Sequence, residues 1–422
     1  MKRIMAVAAA SLLLLTSCSE DSSGEEARGS SSFVSTLISD VPAHDWSAVN
    51  DRAYAMGMQL SGDEGGNRVT SPLSLLLALS MLGEGATGEA ADQLDEAWGI
   101  SGDERSRMTA ALLTSLGSHE EGFAGFDPEG SPPEKPLLHI ANRVVTDHDL
   151  EPHSVFLERL STYHDAPLAR ANLDSEEGMD FLSAWVSEHT AGLIPATAME
   201  PDSQLRLVLQ NAVLFAAPWE QPFTEESEFD ADFRLLDGTT IEVPAIHSHR
   251  EVPYTSSGGW QAIRLNYTEG FTAELVLPPP GTDPSSLSPG KLTELLAGLD
   301  GGTTELNLRF PTLDITTTND LMTDMDELGM TALMDPRTEP LAGIGETDHP
   351  LYLGQAVQQA TLHVDIEGTK AAAVTEFGVE EILAPAEPIT AFIVDRPYLF
   401  LVHHKDSGMP VFLAAIRNPG EF

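Results

Sequence analysis

The stretch from residue 365 to residue 397 constrains the fold most, because it carries the signals of two different structures. From Thr369 to Glu380, small or apolar residues alternate with more polar or permissive ones. A period of two is typical of a strand with one buried face. The same stretch contains two glycines, the pair Glu380-Glu381 and Pro385, which are features of an exposed loop. This combination predicts a segment that can change from loop to strand.

Helical and strand-like patterns are unevenly distributed along the chain. Apolar residues at helical spacing predict helices at Asp45–Leu60, Glu89–Trp98, Pro152–Tyr163, Asp174–His189 and Asp320–Leu328. Strand-like runs are predicted at Leu138–Thr146, Leu205–Phe215, Phe271–Leu277, Leu306–Phe310, Leu351–Gly354, Thr361–Val364 and Val411–Ile416. Helices dominate early and strands dominate late, which indicates an α+β fold rather than a doubly wound parallel sheet.

The charge of the chain is extreme. It has 22 Lys+Arg against 66 Asp+Glu, a formal net charge of −44 at pH 7. Nucleic-acid binding is therefore not expected, because phosphate contacts need a basic surface. Such a surface repels itself and gains from screening by salt, so a saline habitat and an ordinary acidic exported protein both remain open as explanations.

The N-terminus has the pattern of an export signal. Two basic residues precede an apolar run from Ile4 to Leu15, which is shorter than the ~20 residues that a membrane-spanning helix needs. Leu-Thr-Ser-Cys18 resembles a bacterial lipobox, which implies cleavage before Cys18 and lipidation of this residue. An ordinary signal peptide with an incidental cysteine is the alternative. We expect a signal peptide at 1–17, a lipid anchor with a flexible acidic linker at 18–40, and an extracytoplasmic protein that is held on a bacterial membrane, periplasmic or at the cell surface, through its lipid only.

Several motifs, in the right order, resemble the serpin family. The hinge of the serpin reactive loop is similar to Glu367-Gly368-Thr369 followed by Ala371-Ala372-Ala373. The C-terminal signature of the family resembles Phe392–Val402, with Tyr398 where the family usually has Phe. Similar matches run from Asn67 to Pro419. The resemblance implies one domain over 41–422, in which helices pack around three β-sheets and expose a C-terminal reactive loop at about 367–388.

The resemblance also implies a function, which is inhibition of a protease rather than enzymatic catalysis. A serpin traps a serine protease as an acyl-enzyme when the cleaved loop inserts into the main sheet. The usual spacing from the hinge places the cut at Ile382-Leu383, and a shift by one residue would place Glu381 before the cut. Ile382 suits an elastase-, chymotrypsin- or subtilisin-like protease, or a cysteine protease. The expected inhibitor is a monomer.

Five residues match positions at which the serpin main sheet opens. They are Ser71, Ser74, Asn211, Trp219 and Gln358. The two serines open the sequence Ser-Pro-Leu-Ser, which resembles the start of the buried central helix of serpins; a plain helix cap is the alternative for Ser71. Trp219 is also suited to be a core aromatic residue.

Two positions depart from the family pattern. Ile366 stands where most serpins have an acidic residue, and Gln358 stands where many have a histidine. Glutamine can form hydrogen bonds but cannot titrate near neutral pH. These changes put the usual control of sheet opening in doubt, but not the fold. The alternative to inhibition is a non-inhibitory serpin that serves as a carrier or binding module.

Motifs of other chemistry are missing from the sequence. It contains no Gly-x-Ser-x-Gly, no His-Glu-x-x-His, no phosphate-binding loop and no paired cysteines. His247-Ser-His249 and His403-His404 are more typical of turns and strand edges than of metal ligands. We therefore expect neither a metal nor a cofactor.

Overall fold

The computed structural model describes residues 30–62, 65–130, 132–369 and 390–421. The predictions at Cys18, Ala371–Ala373 and Glu381–Leu383 lie outside these ranges. Helices occupy much of the first half of the described chain. They are α1 (Ala43–Leu60), α2 (Pro72–Gly83), α3 (Gly88–Trp98), α4 (Gly102–Leu116), α5 (Ser154–Tyr163), α6 (Glu176–His189), α7 (Pro289–Gly298) and α8 (Met322–Glu327).

The strands lie mostly in the second half. They are β1 (Arg68–Thr70), β2 (Leu137–Thr146), β3 (Glu151–Pro152), β4 (Leu168–Arg170), β5 (Leu207–Pro218), β6 (Glu228–Arg234), β7 (Thr240–Ser257), β8 (Trp260–Asn266), β9 (Phe271–Leu277), β10 (Thr303–Pro311), β11 (Leu313–Asp320), β12 (Gly345–Glu346), β13 (Val357–Val364), β14 (Gly368–Thr369), β15 (Thr390–Ile393), β16 (Tyr398–His404) and β17 (Pro410–Ile416). The α+β class predicted from the sequence is confirmed.

The described strands form one large sheet and three smaller ones. The large sheet has nine strands in the order β1-β17-β16-β9-β8-β7-β10-β15, with β6 paired to β7. A four-stranded sheet, β14-β5-β2-β4, and a two-stranded sheet, β11-β13, lie on either side of a cavity; together we call them the split sheet. Its central pair is antiparallel, with Asn142 of β2 opposite Asn211 of β5. The pair β12-β3 is separate.

The helix α2 lies in the core because almost every residue of it is apolar. Ser71 caps its first turn by accepting a hydrogen bond from the Ser74 amide, and Pro72 occupies the first helical position, where its missing N–H costs nothing. The leucines of α2 are buried on all sides, and the helix packs against both β5 and β17. It therefore supports the split sheet from beneath.

The helix α6 packs against β2 and β5 of the split sheet. Ser175 caps it by accepting a hydrogen bond from the Gly178 amide. On its inner side, the guanidinium of Arg143 lies 4.5 Å from the ring centre of Phe181 and 4.9 Å from that of Trp185. These cation–π contacts attach α6 to β2.

The ordered contacts begin before the predicted domain boundary at residue 41. The Val34 amide donates to the Thr162 carbonyl, the Thr36 amide donates to Thr114 Oγ1, and Trp46 Nε1 donates to the Ile38 carbonyl. Residues 34–42 thus lie against α4 and α5. No helix within the described ranges combines the length and the apolarity that crossing a membrane requires.

One predicted strand was wrong. Leu351–Gly354 belongs to no strand of the described chain; the Leu353 amide instead donates to the Leu333 carbonyl, which lies outside any strand. Its apolar residues satisfy a strand pattern, but the chain here only approaches β13 and lines a cavity.

Candidate functional site

The two parts of the split sheet are separated by a gap. In the described chain, no residue of β5 is paired with a residue of β13. A cavity of about 1010 Å³ lies between them, lined by 207–213 of β5 on one side and by 351–359, which lead into β13, on the other. Leu75 and Leu79 of α2 line it as well. Strand edges carry unpaired N–H and C=O groups, so this gap is suited to accept a further strand.

Ser71 and Gln358 are bound to each other at this gap. The Ser71 amide donates to Gln358 Oε1 at 3.0 Å, and Gln358 Nε2 donates to the Ser71 carbonyl at 2.9 Å. Ser71 Oγ donates to the Val411 carbonyl at 2.7 Å and accepts from the Ser74 amide at 3.1 Å. Ser71 is therefore both a helix cap and a link between α2, β13 and β17.

Asn211 also lines the cavity, but its bonded partner is Asn142 rather than Gln358. Asn211 Nδ2 donates to Asn142 Oδ1 at 2.7 Å, and Asn142 Nδ2 donates to the His164 carbonyl at 3.0 Å. The structure thus brings four of the five sequence-predicted residues, Ser71, Ser74, Asn211 and Gln358, together around one cavity. Their effect on sheet opening stays a prediction.

The predicted hinge begins at the other end of β5. Gly368 lies opposite Pro218 and Thr369 opposite Ala217, so these two hinge residues are already paired with β5 as the short strand β14. A Cβ atom on Gly368 would lie 2.1 Å from the Ala217 carbonyl oxygen. Only glycine permits this close approach.

Trp219, the fifth predicted residue, holds this end of the hinge. Trp219 Nε1 donates to the Asp365 carbonyl at 2.9 Å, and its ring stacks on Tyr267 with the ring centres 4.5 Å apart. Tyr267 in turn shares a hydrogen bond of 2.7 Å with Thr369 Oγ1. Burial raises the pKa of Tyr267, so the phenol stays protonated. Sequence reasoning missed Tyr267, because nothing near it in the chain indicates a contact with the hinge.

Asp365 folds the chain into the turn before the hinge. Its Oδ1 accepts hydrogen bonds from the amides of Glu367 at 2.9 Å and Gly368 at 3.1 Å. Ile366, where an acidic residue was expected from the family pattern, is buried instead, and its carbonyl accepts from the Phe223 amide. At the position where most serpins have a carboxylate, burial of the Ile366 side chain and a main-chain hydrogen bond therefore hold the chain in place.

Glu367 places a carboxyl group at the hinge that has no compensating partner among the described residues. It is 8% exposed, and neither carboxylate oxygen has a hydrogen-bond partner among the described residues. Burial raises the pKa of Glu367, and the nearby charges of Asp365 and Glu225 raise it further. A carboxyl whose pKa is raised by folding binds protons more tightly when folded, so its destabilising effect is full at neutral pH and disappears as the pH falls.

We expect Glu367→Gln to stabilise the folded chain by about 1 kcal/mol at neutral pH, because a neutral amide costs less to bury than an unpaired carboxylate. Urea unfolding measures this difference. The advantage of the variant should shrink as the pH is lowered. Glu226→Gln, at an exposed position nearby, is the matched control. Equal unfolding midpoints for Glu367→Gln and the wild type would show that the carboxylate is compensated.

Residues 190–206, which connect α6 to β5, cross the gap; we call them the strap. Ala198 N donates to Gln359 Oε1 at 3.0 Å. Glu200 N donates to Gln355 Oε1 at 3.2 Å, and Gln355 Nε2 donates back to the Glu200 carbonyl at 3.1 Å. Two glutamines next to or within β13 thus fasten the strap across the gap.

The side chains of His403 and His404 have protein partners. His403 Nδ1 lies 2.8 Å from buried Glu274, which also accepts from Arg264 Nε at 2.7 Å. His404 Nδ1 lies 2.9 Å from Ser407 Oγ, and burial together with the charge of His119 lowers the pKa of His404 to about 4. Across residues 30–62, 65–130, 132–369 and 390–421, no group of three or more histidine, cysteine or acidic side chains could hold a metal ion.

At the level of sequence, a family model and individual known proteins both match this chain. The model of the family described as "Serpin (serine protease inhibitor)" matches residues 47–419. Alpha-1-antitrypsin 1-1 of Mus musculus is 28% identical over 83% of this chain and 82% of its own length. The hibernation-specific plasma protein HP-55 of Tamias sibiricus is likewise 28% identical over 83% of this chain and 82% of its own length.

Solved structures agree on the fold. The thermophilic serpin tengpin in its native state superposes with a TM-score of 0.78 at 22% identity, over 92% of this chain and 97% of that one. A thyroxine-binding globulin complex with thyroxine superposes with a TM-score of 0.74 at 21% identity, over 89% of this chain and 99% of that one. The fold predicted from the resemblance, with helices around several β-sheets, is confirmed. With the family model matching most of its length, the chain belongs to the serpin family.

Proposed function

We propose that this chain inhibits a serine protease as a suicide substrate. The observation that carries the proposal is the open gap between β5 and β13, next to a hinge of which two residues already pair with β5. The protease would attack a bond of the reactive loop with its own serine and form an acyl-enzyme. The cleaved loop would then continue β14 along β5 and carry the attached protease with it.

The free energy released by insertion would be comparable with the free energy that holds a protease domain folded. About ten residues that gain ladder hydrogen bonds at ~1 kcal/mol each contribute on the order of 10 kcal/mol. This equals the stability of a whole domain. Thr369, Ala371 and Ala373 would face inward and carry no charge, so the first part of the strand buries nothing costly.

The proposed reactive bond is Ile382-Leu383, with Glu381 as the alternative residue before the cut. An apolar residue there favours elastase-, chymotrypsin- or subtilisin-like proteases, and cysteine proteases are an alternative class of target. Because a serpin is consumed in the reaction, one monomer would inactivate one protease molecule.

The test mixes a soluble form that begins at residue 19 with pancreatic elastase, chymotrypsin, subtilisin and papain in turn. We expect a band at the summed mass on denaturing gels with at least one serine protease, and none with the same protease after its active serine has been blocked. Mass spectrometry of the released peptide identifies the cut. Complete cleavage of the loop by all four proteases without such a band would contradict the proposal.

A binding or carrier module is the second candidate. The similarity to thyroxine-binding globulin, whose structure is described as a complex with thyroxine, favours it. Under this alternative the loop is cut without trapping.

We further propose that Cys18 anchors the chain to a bacterial membrane through lipid. The lipobox-like sequence before Cys18 supports this proposal. When the full chain is expressed in a bacterium, we expect it in the membrane fraction, labelled by radioactive palmitate. Cys18→Ala should abolish the label and move the protein to the soluble fraction. Retention of the variant in the membrane fraction would contradict a lipid anchor.

A further inference from the structure

Two histidines of the split sheet and α6 are bonded directly to each other. His139 Nε2 of β2 lies 2.9 Å from His189 Nδ1, at the last residue of α6. The ring of Phe123 stacks on His139 with the centres 3.6 Å apart, and Trp185 contacts His189 with the ring centres 4.4 Å apart. The other nitrogen of His139, Nδ1, lies 2.9 Å from Glu120 Oε1. None of these residues is among the partners given above for the described hinge residues Glu367, Gly368 and Thr369.

This arrangement depends on protonation. A hydrogen bond between two imidazoles needs one nitrogen that carries a proton and one that does not. If both rings are protonated, two N–H groups and two positive charges face each other at 2.9 Å. The bond is then lost and the charges repel. The closed pair therefore holds at most one extra proton, while separated rings can hold two.

The surrounding charges do not remove this conflict. Burial lowers the pKa of His139, although the hydrogen bond and charge of Glu120 act in the opposite direction. Burial and the charge of His139 lower the pKa of His189; Glu188 on α6 raises it, and Arg143 on β2 lowers it. The charged groups that act on the pair are thus Glu120 from the loop before β2, Glu188 from α6 and Arg143 from β2.

The pair lies beside the gap. His189 is followed directly by the strap, and Val186, Thr190 and Ile194 on both sides of it line the cavity between β5 and β13. The strap is fastened to the β13 side through Gln355 and Gln359. The histidine pair fastens the opposite end, where α6 meets β2.

We propose that His139 and His189 form an acid-sensitive latch that holds the end of α6 over the gap and releases it when both rings become protonated. Release of α6 and the strap would clear the path of an entering strand. This consequence rests on the proposed function, but the latch itself does not.

The sign and size of the effect follow from proton linkage. Because the closed latch has lowered pKa values, the open latch binds more protons below the ordinary histidine range near pH 6.5. Opening should become about tenfold more favourable for each pH unit and each proton taken up. Above this range it should not depend on pH.

The test is native-state hydrogen exchange on the soluble chain that begins at residue 19, from about pH 7.5 down to about pH 5.5. Exchange is expressed as protection factors, so the pH dependence of the chemical step is removed, and α2 serves as the internal reference. We expect protection over the last two turns of α6 and the strap to fall about tenfold or more. His189→Asn keeps a side-chain nitrogen donor but cannot become charged, and should show no such fall.

Two further variants complete the test. His139→Gln removes the same conflict from the strand side, so the latch remains testable if one of the two variants fails to fold. His148→Asn, at an exposed turn after β2, is the matched control and should behave as the wild type. An equal fall in protection in the wild type and in a folded latch variant, or no fall in the wild type, would overturn the latch. Hydrogen-exchange protection is measured without any protease, so failure of the latch can be distinguished from failure of the proposed inhibition.

Discussion

Replacing Thr369 by arginine is expected to leave a folded chain that a target protease cuts without being trapped. Thr369 is 4% exposed, lies opposite Ala217 and shares a hydrogen bond with Tyr267. An arginine there would have to place an unpaired charge between β5 and β13, at a cost of several kcal/mol. The side chain can avoid this cost only if the hinge leaves the sheet, so insertion is slowed while cleavage continues.

The measurement is the number of inhibitor molecules consumed for each protease molecule trapped. We expect Thr369→Arg to raise this ratio by at least about tenfold, since 1.4 kcal/mol in a competing step already gives a factor of ten. Thr318→Arg is the matched control, because Thr318 is an exposed threonine of β11 in the same split sheet. It should trap at the wild-type ratio. A Thr369→Arg protein that also traps at the wild-type ratio would mean that this residue is not buried during inhibition.

Replacing Glu84 by alanine is expected to destabilise the folded chain by about 3–5 kcal/mol, because it leaves the buried His164 ring and Ser106 hydroxyl without this acceptor and takes one of two carboxylates from the half-buried Arg159. The Glu84 side chain is 1% exposed and lies 2.9 Å from His164. It also accepts from Arg159 and, at 2.7 Å, from Ser106 Oγ. Urea unfolding measures the loss. Glu89→Ala, at an exposed position on α3, should change stability little.

The same carboxylate gives a defined dependence on pH. Burial would raise the pKa of Glu84, but its bonds to His164, Arg159 and Ser106 outweigh burial and lower this pKa to about 2. A lowered pKa in the folded state means that the stabilisation is complete above about pH 4.5 and is lost as the pH falls towards 2. Glu84→Gln should therefore lose less stability than the wild type within this window. If the two lose stability in parallel, Glu84 does not carry the effect.

The sequence predicted those helices and strands that show one clear hydrophobic period along their length. Alternation identified β2, and Phe271–Leu277 matches β9 residue for residue. The helix α4 was missed because its first turns are mostly polar. The strand β7 was missed because its 18 residues include Pro244 and Pro253, which normally argue against a strand. Leu351–Gly354 has the composition of a strand but pairs with no strand in the described part of the chain, and pairing with a neighbouring strand cannot be read from composition.

In the candidate site, too, local features could be predicted from the sequence and contacts between distant residues could not. Ser71 as a helix cap could be predicted from four adjacent residues, whereas its bonds to Gln358 join positions 287 residues apart. Glu84 and His164 are 80 residues apart, and His139 and His189 are 50 apart. Such contacts depend on how helices and sheets pack, and no local period of the sequence encodes them.

The most direct test of the central claim, that the gap between β5 and β13 receives the reactive loop, is the unfolding temperature before and after the loop is cut. Any protease that cleaves only between residues 370 and 389 is suitable, with the cut located by mass spectrometry. If the loop inserts, about 10 kcal/mol of new strand pairing should raise the unfolding temperature of the cleaved chain by about 10 °C or more. An unchanged or lower unfolding temperature would mean that the gap stays empty after cleavage, which would contradict inhibition by insertion.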